Sequence, residues 1–153
     1  MSSKNGASSA RVRLLEDVGI AADALNEELH RAEEMIRKKA FGVCAEIVLR
    51  SGLEVENGYQ DEQSWYDSLL FGKLDGEWQL YLQAGHSDDE PEALRRTDLF
   101  SASLELRMLA AKSIPKLVLA LEDKRSERHN NIVRMTDELS KFLDDFGRDV
   151  VES

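Results

Sequence analysis

The chain has 153 residues, a net charge of −10 and a single cysteine. This length is typical of one domain, and the negative charge argues against general binding of DNA, RNA or an anionic membrane, because all three attract clustered lysine and arginine. The lone cysteine, Cys44, excludes an intrachain disulfide framework and a cysteine-rich zinc site. We expect it to be a small buried residue of a cytoplasmic protein.

The first predicted element is a helix from about Arg11 to Arg50. It follows a polar segment, residues 1–10, which is predicted to be a disordered tail and lacks the apolar core of a signal peptide. Apolar residues from Leu14 to Ile47 recur in steps of four, three and four, and this eleven-residue pattern is typical of a nearly straight helix. Gly19 is the alternative end of a short first helix, and Gly42 is expected to allow another element to approach.

A β-hairpin is the next predicted element. Asp75-Gly76 lies between two β-rich runs, Ser68–Leu74 and Glu77–Gln83. This dipeptide favours a type I′ turn, which requires positive φ at both central positions. The sequence therefore predicts an antiparallel hairpin at this point.

Before the hairpin, Leu53 to Glu56 alternates apolar and acidic residues, which predicts a short strand ahead of a turn at Asn57-Gly58. Residues 59–64 are polar and predicted to be a loop. A small sheet with one apolar face needs a helix against it, and the C-terminal end of the first helix is the expected cover.

Residues 86–92 form an acidic predicted loop. Thr97 or Asp98 is expected to cap a shorter helix, and Pro115 is expected to end or kink that helix, because proline lacks the N–H and clashes with the preceding turn.

A last long helix is predicted from about Ile114 to Phe146. Its apolar seam consists of Ile114, Val118, Leu121, Ile132, Met135, Leu139, Phe142 and Phe146. The run from Lys124 to Asn131 contains no apolar residue. A continuous helix with a polar waist is the preferred interpretation, and a helical hairpin turning at Asn130-Asn131 is the alternative.

The predicted fold is α+β and mainly α. It has two long antiparallel helices, a shorter helix kinked or ended at Pro115, and a small antiparallel hairpin or meander packed at one end. One domain, residues 11–148, contains the hairpin as an insertion at about 53–83, and residues 149–153 form a C-terminal tail. We expect a helical-bundle dimer, because the remaining apolar surface needs cover; a monomer with the first helix folded back at Gly19 is the alternative.

Two groups of residues are candidate interaction sites. An antiparallel arrangement of the long helices would pair a polar waist formed by Glu33, Glu34, Arg125 and Arg128. The second group combines adjacent aromatic residues before the hairpin with the acidic loop, and it is expected to bind a protein partner. Its members are Trp65, Tyr66, Asp88, Asp89 and Glu90.

Catalytic and metal-binding patterns are weak. Glu27 and His30 form one Glu-x-x-His motif, whereas di-iron bundles carry two copies, and His30 is expected at the edge of an interface. His86 lies near acidic residues that lack the spacing of a calcium loop. No nucleophile motif or phosphate-binding glycine loop is present, so we expect no cofactor, no metal and no enzymatic activity.

These patterns favour a non-enzymatic cytoplasmic interaction protein, homodimeric, that binds a protein partner through its hairpin and adjoining loops. One alternative is an acidic inhibitor of a nucleic-acid-binding protein, of the DNA-mimic or anti-defence type. Steep weakening by salt would favour that alternative. A second alternative is an enzyme or small-ligand-binding domain with a pocket between sheet and helices.

Overall fold

The computed structural model contains two long helices and one four-stranded antiparallel sheet. The structure describes residues 3–39, 42–56, 59–86, 90 and 93–152. The elements in chain order are α1 (Ser3–Lys39), β1 (Ala45–Glu56), β2 (Tyr59–Leu74), β3 (Glu77–His86), β4 (Arg95–Asp98), a short 3-10 helix (Leu99–Ser101) and α2 (Leu104–Glu152). The strands are ordered β1-β2-β3-β4 across the sheet. The prediction of three helices with a small hairpin is therefore wrong.

The first helix ends earlier than predicted. α1 stops at Lys39 instead of Arg50, and Gly42, with a φ of 75°, forms the turn toward β1. Val43 is buried and Ile47 half-buried, and both belong to the extended segment that follows. Two residues four positions apart share one face of a helix and also one face of a strand. The apolar spacing alone therefore could not separate the two structures.

Three further details differ from the expectation. Cys44 is exposed, because it lies between the buried residues Val43 and Ala45 in an extended segment, where neighbouring side chains point to opposite sides. α1 passes through Gly19 without a break, so the monomer with a folded-back first helix is wrong. The helices also extend into both predicted tails, because α1 begins at Ser3 and α2 ends at Glu152.

The predicted hairpin is confirmed. β2 and β3 pair antiparallel down to Leu74 and Glu77, and the turn residues Asp75 and Gly76 have φ values of 52° and 83°. The predicted loop at 59–64 is wrong: this segment is the first part of β2 and pairs with the end of β1. The predicted turn at 57–58 lies outside the described residues.

β4 is a short edge strand, and the sequence has no apolar pattern there that would predict it. Its four residues are all exposed, and they pair with Tyr81 to Ala84 of β3. Asp98, one of the two expected cap residues, caps the 3-10 helix, where its carboxylate accepts a hydrogen bond from the N–H of Phe100 at 3.3 Å. The N-terminus of α2 is capped by Ser103, whose hydroxyl accepts from the N–H of Leu106.

The hydrophobic core lies between one face of the sheet and both helices. Alternate residues of β2 and β3 supply the sheet side, because strand residues two apart share a face. The buried core residues include Leu29 and Ile36 of α1, Leu69 and Phe71 of β2, Leu80 and Leu82 of β3, and Ala110, Leu117 and Leu121 of α2. The core is thus closed within one chain, and the predicted helical bundle is wrong.

The two helices run parallel, and the predicted antiparallel pairing is also wrong. Arg107 near the start of α2 binds Asn26, whereas Arg125, further along α2, binds the carbonyl of Lys39 at the end of α1. Residues further along α2 therefore lie beside residues further along α1. The consequence is that the N-terminal half of α1 extends beyond the core at one end, and the C-terminal half of α2 extends beyond it at the other.

Pro115 does not end a helix. It is exposed within α2, which continues from Leu104 to Glu152. Ala110 and Leu117 on either side of it are fully buried in the core, and this packing holds the helix together across the missing N–H. The predicted continuous helix through residues 124–131 is confirmed, and the helical hairpin at Asn130-Asn131 is wrong.

Candidate interaction surface

The C-terminal half of α2 extends beyond the core, and its base contacts the end of α1. Every residue from 122 to 150, here named the α2 arm, is exposed. At about 1.5 Å per residue the arm is roughly 40 Å long. A helix in a protein gains most of its stability from packing of an apolar face against other elements, and the apolar face of this arm has no such packing against the described residues.

One face of the α2 arm carries a continuous row of large apolar side chains, here named the α2 seam. Its members are Ile132, Met135, Leu139, Phe142 and Phe146. They are separated by three, four, three and four residues, which is the spacing of the core positions of a coiled coil. Each is between 56% and 61% exposed, and the rings of Phe142 and Phe146 stack with centroids 6.1 Å apart.

The same face of α2 is covered closer to the core. Val118 and Leu121 lie on the row that continues as the α2 seam, and there they face Met35 and Ile36 of α1. These four apolar residues line a groove of about 210 Å³, whose charged residues are Lys39, Glu122 and Arg125. The groove lies where α1 ends. Beyond it, the apolar row of α2 continues as the seam without cover from α1.

Two arginines connect the base of the arm to the end of α1. Arg125 donates a hydrogen bond to the carbonyl oxygen of Lys39 at 3.2 Å, and Arg128 donates to that of Gly42 at 3.1 Å. The carbonyl of Lys39 is among the last of α1, which have no partner within the helix and carry partial negative charge, so the guanidinium group of Arg125 stabilises it. The polar waist thus has a structural role at the helix end.

The predicted partners of these arginines lie elsewhere. One carboxylate oxygen of Glu33 accepts from the N–H of Leu80 at 2.9 Å, and the other pairs with Arg37 at 3.1 Å. Glu34 pairs with Lys38 on the surface of α1. Within the described part of the chain, the four residues of the predicted waist therefore do not pair with one another. Glu33 binds the sheet, and the two arginines bind carbonyl groups at and just beyond the end of α1.

The hairpin-side residues are less accessible than the seam. Trp65 and Tyr66 are both half-buried. The indole of Trp65 lies against Gly52 on the neighbouring strand, where a methyl group added to Gly52 would be 2.7 Å from Nε1. Glu90 is exposed, and its carbonyl accepts from the N–H of Ala93. Asp88 and Asp89 lie outside the described residues.

α1 also carries exposed apolar residues at its N-terminal end, distributed around the helix. Val12, Leu14, Leu15, Val18 and Ile20 are between 48% and 72% exposed. Further along the helix, Leu29 is buried, and His30 stacks on Phe100 of the 3-10 helix with ring centroids 3.6 Å apart. His30 thus packs against a residue of its own chain, and its expected position at the edge of a bundle interface stays a prediction.

Two pKa shifts occur among the described residues, and neither group belongs to the seam. A hydrogen bond from Arg50 to Asp67, 2.6 Å long, raises the pKa of Arg50. Arg50 also lies 3.6 Å from Glu105, so it connects the sheet to the first turn of α2. Burial raises the pKa of Tyr81.

Within the described ranges, no group of three or more histidine, cysteine, aspartate or glutamate residues is arranged to hold a metal ion. None of the described helices combines the length and the apolar character that a membrane span requires. No family model, curated protein or solved structure matches this chain.

The α2 seam is the candidate functional surface that sequence reasoning missed. Its residues were recognised as an apolar row, but they were expected to lie inside a bundle. The available signal was the run Lys124–Asn131, which contains no apolar residue and separates the seam from Val118 and Leu121. Such a break marks the point where the helix leaves the core.

Proposed function

We propose that this chain is a non-enzymatic protein-interaction module that binds a helical partner through the α2 seam. The supporting observation is a row of five large apolar side chains, each more than half exposed, on the part of α2 that extends beyond the core. Large apolar patches on a folded surface are typical of interaction sites. An amphipathic helix with apolar residues at this spacing is a standard surface for recognition of another helix.

The energetics favour binding along this face. Complete burial of a leucine, methionine or phenylalanine side chain contributes about 1.5–3 kcal/mol. Since the seam side chains are a little more than half exposed, covering each of them contributes on the order of 1 kcal/mol. Five such contributions are comparable to the stability of many domains, so an occupant would both bind and order the arm.

The hairpin-side surface formed by Trp65, Tyr66, Asp88, Asp89 and Glu90 stays a prediction. The half-burial of both aromatic residues leaves them less free area than the seam offers. The cytoplasmic location is likewise proposed from the sequence, on the single cysteine, which is exposed in the structure.

The test compares three tagged proteins: wild type, Leu139→Glu and Ser140→Glu. Leu139 is in the middle of the seam, and Ser140 is the next residue, about 100° further round the same helix and outside the seam. Both substitutions add one carboxylate to an exposed helical position, so they are matched in charge. Each protein is used as bait in a cell extract, with its own untagged copy also present, and bound chains are covalently cross-linked to the arm.

We expect the wild type and Ser140→Glu to cross-link the same partner through residues 132–146, and Leu139→Glu to lose it. Identical cross-links from all three proteins, or none from the arm of any, would contradict the proposed function. Circular dichroism of each bait shows whether the arm is still helical.

A further inference from the structure

Resting on the proposed function, we propose that the occupant of the α2 seam is the α2 seam of a second copy of this chain, packed antiparallel as a two-stranded coiled coil. This assembly differs from the helical-bundle dimer expected from the sequence, since each core is closed within its own chain. The two folded cores, one from each copy, would lie at opposite ends of the paired α2 arms.

The first argument is continuity with a helix pair already present. α1 covers this face of α2 at Val118 and Leu121, and it ends at Lys39 beside Arg125. Beyond that point the same face continues as the seam, with no second helix from the described part of the chain. A helix lying in line with α1, with the opposite chain direction, would extend the cover that α1 gives to this face.

The second argument is the distribution of charge along the arm. The half nearest the core is basic, with Lys124, Arg125, Arg128 and Arg134 against the acidic residues Glu122, Asp123 and Glu127. The far half is acidic, with Asp137, Glu138, Asp144, Asp145 and Asp149 against Lys141 and Arg148. An antiparallel pair places each basic half beside the partner's acidic half, and complementary charge favours that orientation.

The third argument is the register, which the seam determines. In an antiparallel coiled coil the two kinds of core position face each other. Aligning Ile132 with the partner's Phe142 also aligns Met135 with the partner's Leu139. By symmetry this produces four layers that are apolar on both sides.

The layers outside these four are also complementary. Continuing the same alignment places Arg128 beside the partner's Phe146, where a guanidinium group and an aromatic face attract each other. It places Arg125 beside the partner's Asp149, where opposite charges meet.

A parallel pair is less favourable. It would place each core residue beside its own counterpart, so Arg125 would face the partner's Arg125, and Asp149 the partner's Asp149. Like charges at core positions are destabilising, and they are a common device for selecting one helix orientation over another.

The contact area is sufficient for a stable dimer. Leu143 borders the seam and is 53% exposed. Counting it with the five seam residues, each copy covers six side chains that lose on the order of 100 Å² each, so the pair buries about 1,200 Å². That value is at the lower end of the range for stable specific interfaces.

The first experiment is sedimentation velocity on the purified full chain at concentrations from about 0.1 to 100 μM, covering the usual range of specific dimers. We expect wild type and Ser140→Glu to change from monomer to dimer over this range. We expect Leu139→Glu to bind itself at least tenfold more weakly. A wild type that remains monomeric throughout would overturn the proposal.

The second experiment determines orientation, in a Cys44→Ala background with one new cysteine and a short bis-maleimide cross-linker. Thr136 flanks the symmetry axis of the antiparallel pair and lies near the partner's Thr136, whereas Ile132 lies beside its own counterpart only in a parallel pair. We expect Thr136→Cys to give a cross-linked dimer and Ile132→Cys to remain monomeric. The reverse result would overturn the antiparallel arrangement.

These outcomes separate the two proposals. A monomeric wild type whose seam still cross-links a different protein, lost in Leu139→Glu, would overturn the self-pairing and leave the proposed function standing. A monomeric wild type with no seam-dependent cross-link would overturn both.

Discussion

Arg128 donates a hydrogen bond from Nη1 to the carbonyl oxygen of Gly42, 3.1 Å away, and so connects the base of the α2 arm to the turn that ends α1. Gly42 has a φ of 75°, a conformation that L-residues with a side chain adopt at a cost of roughly 1–2 kcal/mol. A Cβ atom at this position would also lie 3.3 Å from the same Nη1.

Replacement of Gly42 therefore tests this junction. We expect Gly42→Ala to lower the free energy of unfolding by about 1–2 kcal/mol, measured by urea denaturation. Gly19→Ala is the matched control, because Gly19 is helical with open space around it. It should raise stability by about 0.5–1 kcal/mol. Equal effects of the two substitutions would contradict the assigned role of Gly42.

Glu33 binds the part of the β3 edge that β4 does not cover. Its carboxylate is mostly buried and accepts the N–H of Leu80, while Arg37 donates to the carbonyl of Trp78. We expect Glu33→Ala to cost about 1.5–3 kcal/mol of stability in urea denaturation, because a hydrogen bond to a charged acceptor is lost. Glu34→Ala removes an exposed pair with Lys38 and should cost less than about 1 kcal/mol. Comparable costs would argue against the assigned contact.

The packing of Trp65 against Gly52 leaves no space for a side chain between them. We expect Gly52→Ala to destabilise the sheet by about 1–3 kcal/mol, because a methyl group 2.7 Å from the indole Nε1 forces a shift. Thermal unfolding and tryptophan fluorescence report the change. In a Trp65→Val background the same substitution should cost less than half as much, and an undiminished cost would show that the indole is not responsible.

The raised pKa of Tyr81 predicts how the free energy of unfolding changes at high pH. Burial raises its pKa above the ordinary value of 10.0, so the unfolded chain loses this proton at lower pH than the folded chain does. Stability from the neutral hydroxyl is fully present below pH 10 and decreases as the pH rises through the folded-state pKa. We expect Tyr81→Phe to unfold over a higher pH range than wild type in an alkaline titration followed by circular dichroism. A wild-type and variant pair with superimposable curves above pH 10 would contradict this assignment.

The hairpin was predictable because its signal is local. The type I′ turn requires positive φ at both central positions, and Asp-Gly between two β-rich runs is a strong signal for that turn. The continuity of α2 across Asn130-Asn131 was predictable for a similar reason, since no glycine or proline interrupts it.

The parts that were wrong depend on tertiary contacts. The pattern up to Ile47 fits a helix and a strand equally well, and pairing with β2 decides for the strand. Pro115 stays within α2 because buried residues on both sides hold the helix. The direction of α2 relative to α1 is seen in contacts such as Arg107 to Asn26 and Arg125 to Lys39, which periodicity does not describe. The seam was visible in the sequence as an apolar row, and the run Lys124–Asn131 was the local signal that the helix leaves the core before it.

Hydrogen–deuterium exchange along α2, measured at low and high protein concentration, tests most directly whether the α2 seam is a binding surface. Residues 104–121 pack on the core and should exchange slowly at every concentration. The backbone N–H groups of 129–150 should exchange rapidly in dilute protein and become protected at high concentration in wild type, but not in Leu139→Glu. Exchange in the arm that is independent of both concentration and Leu139 would contradict the account.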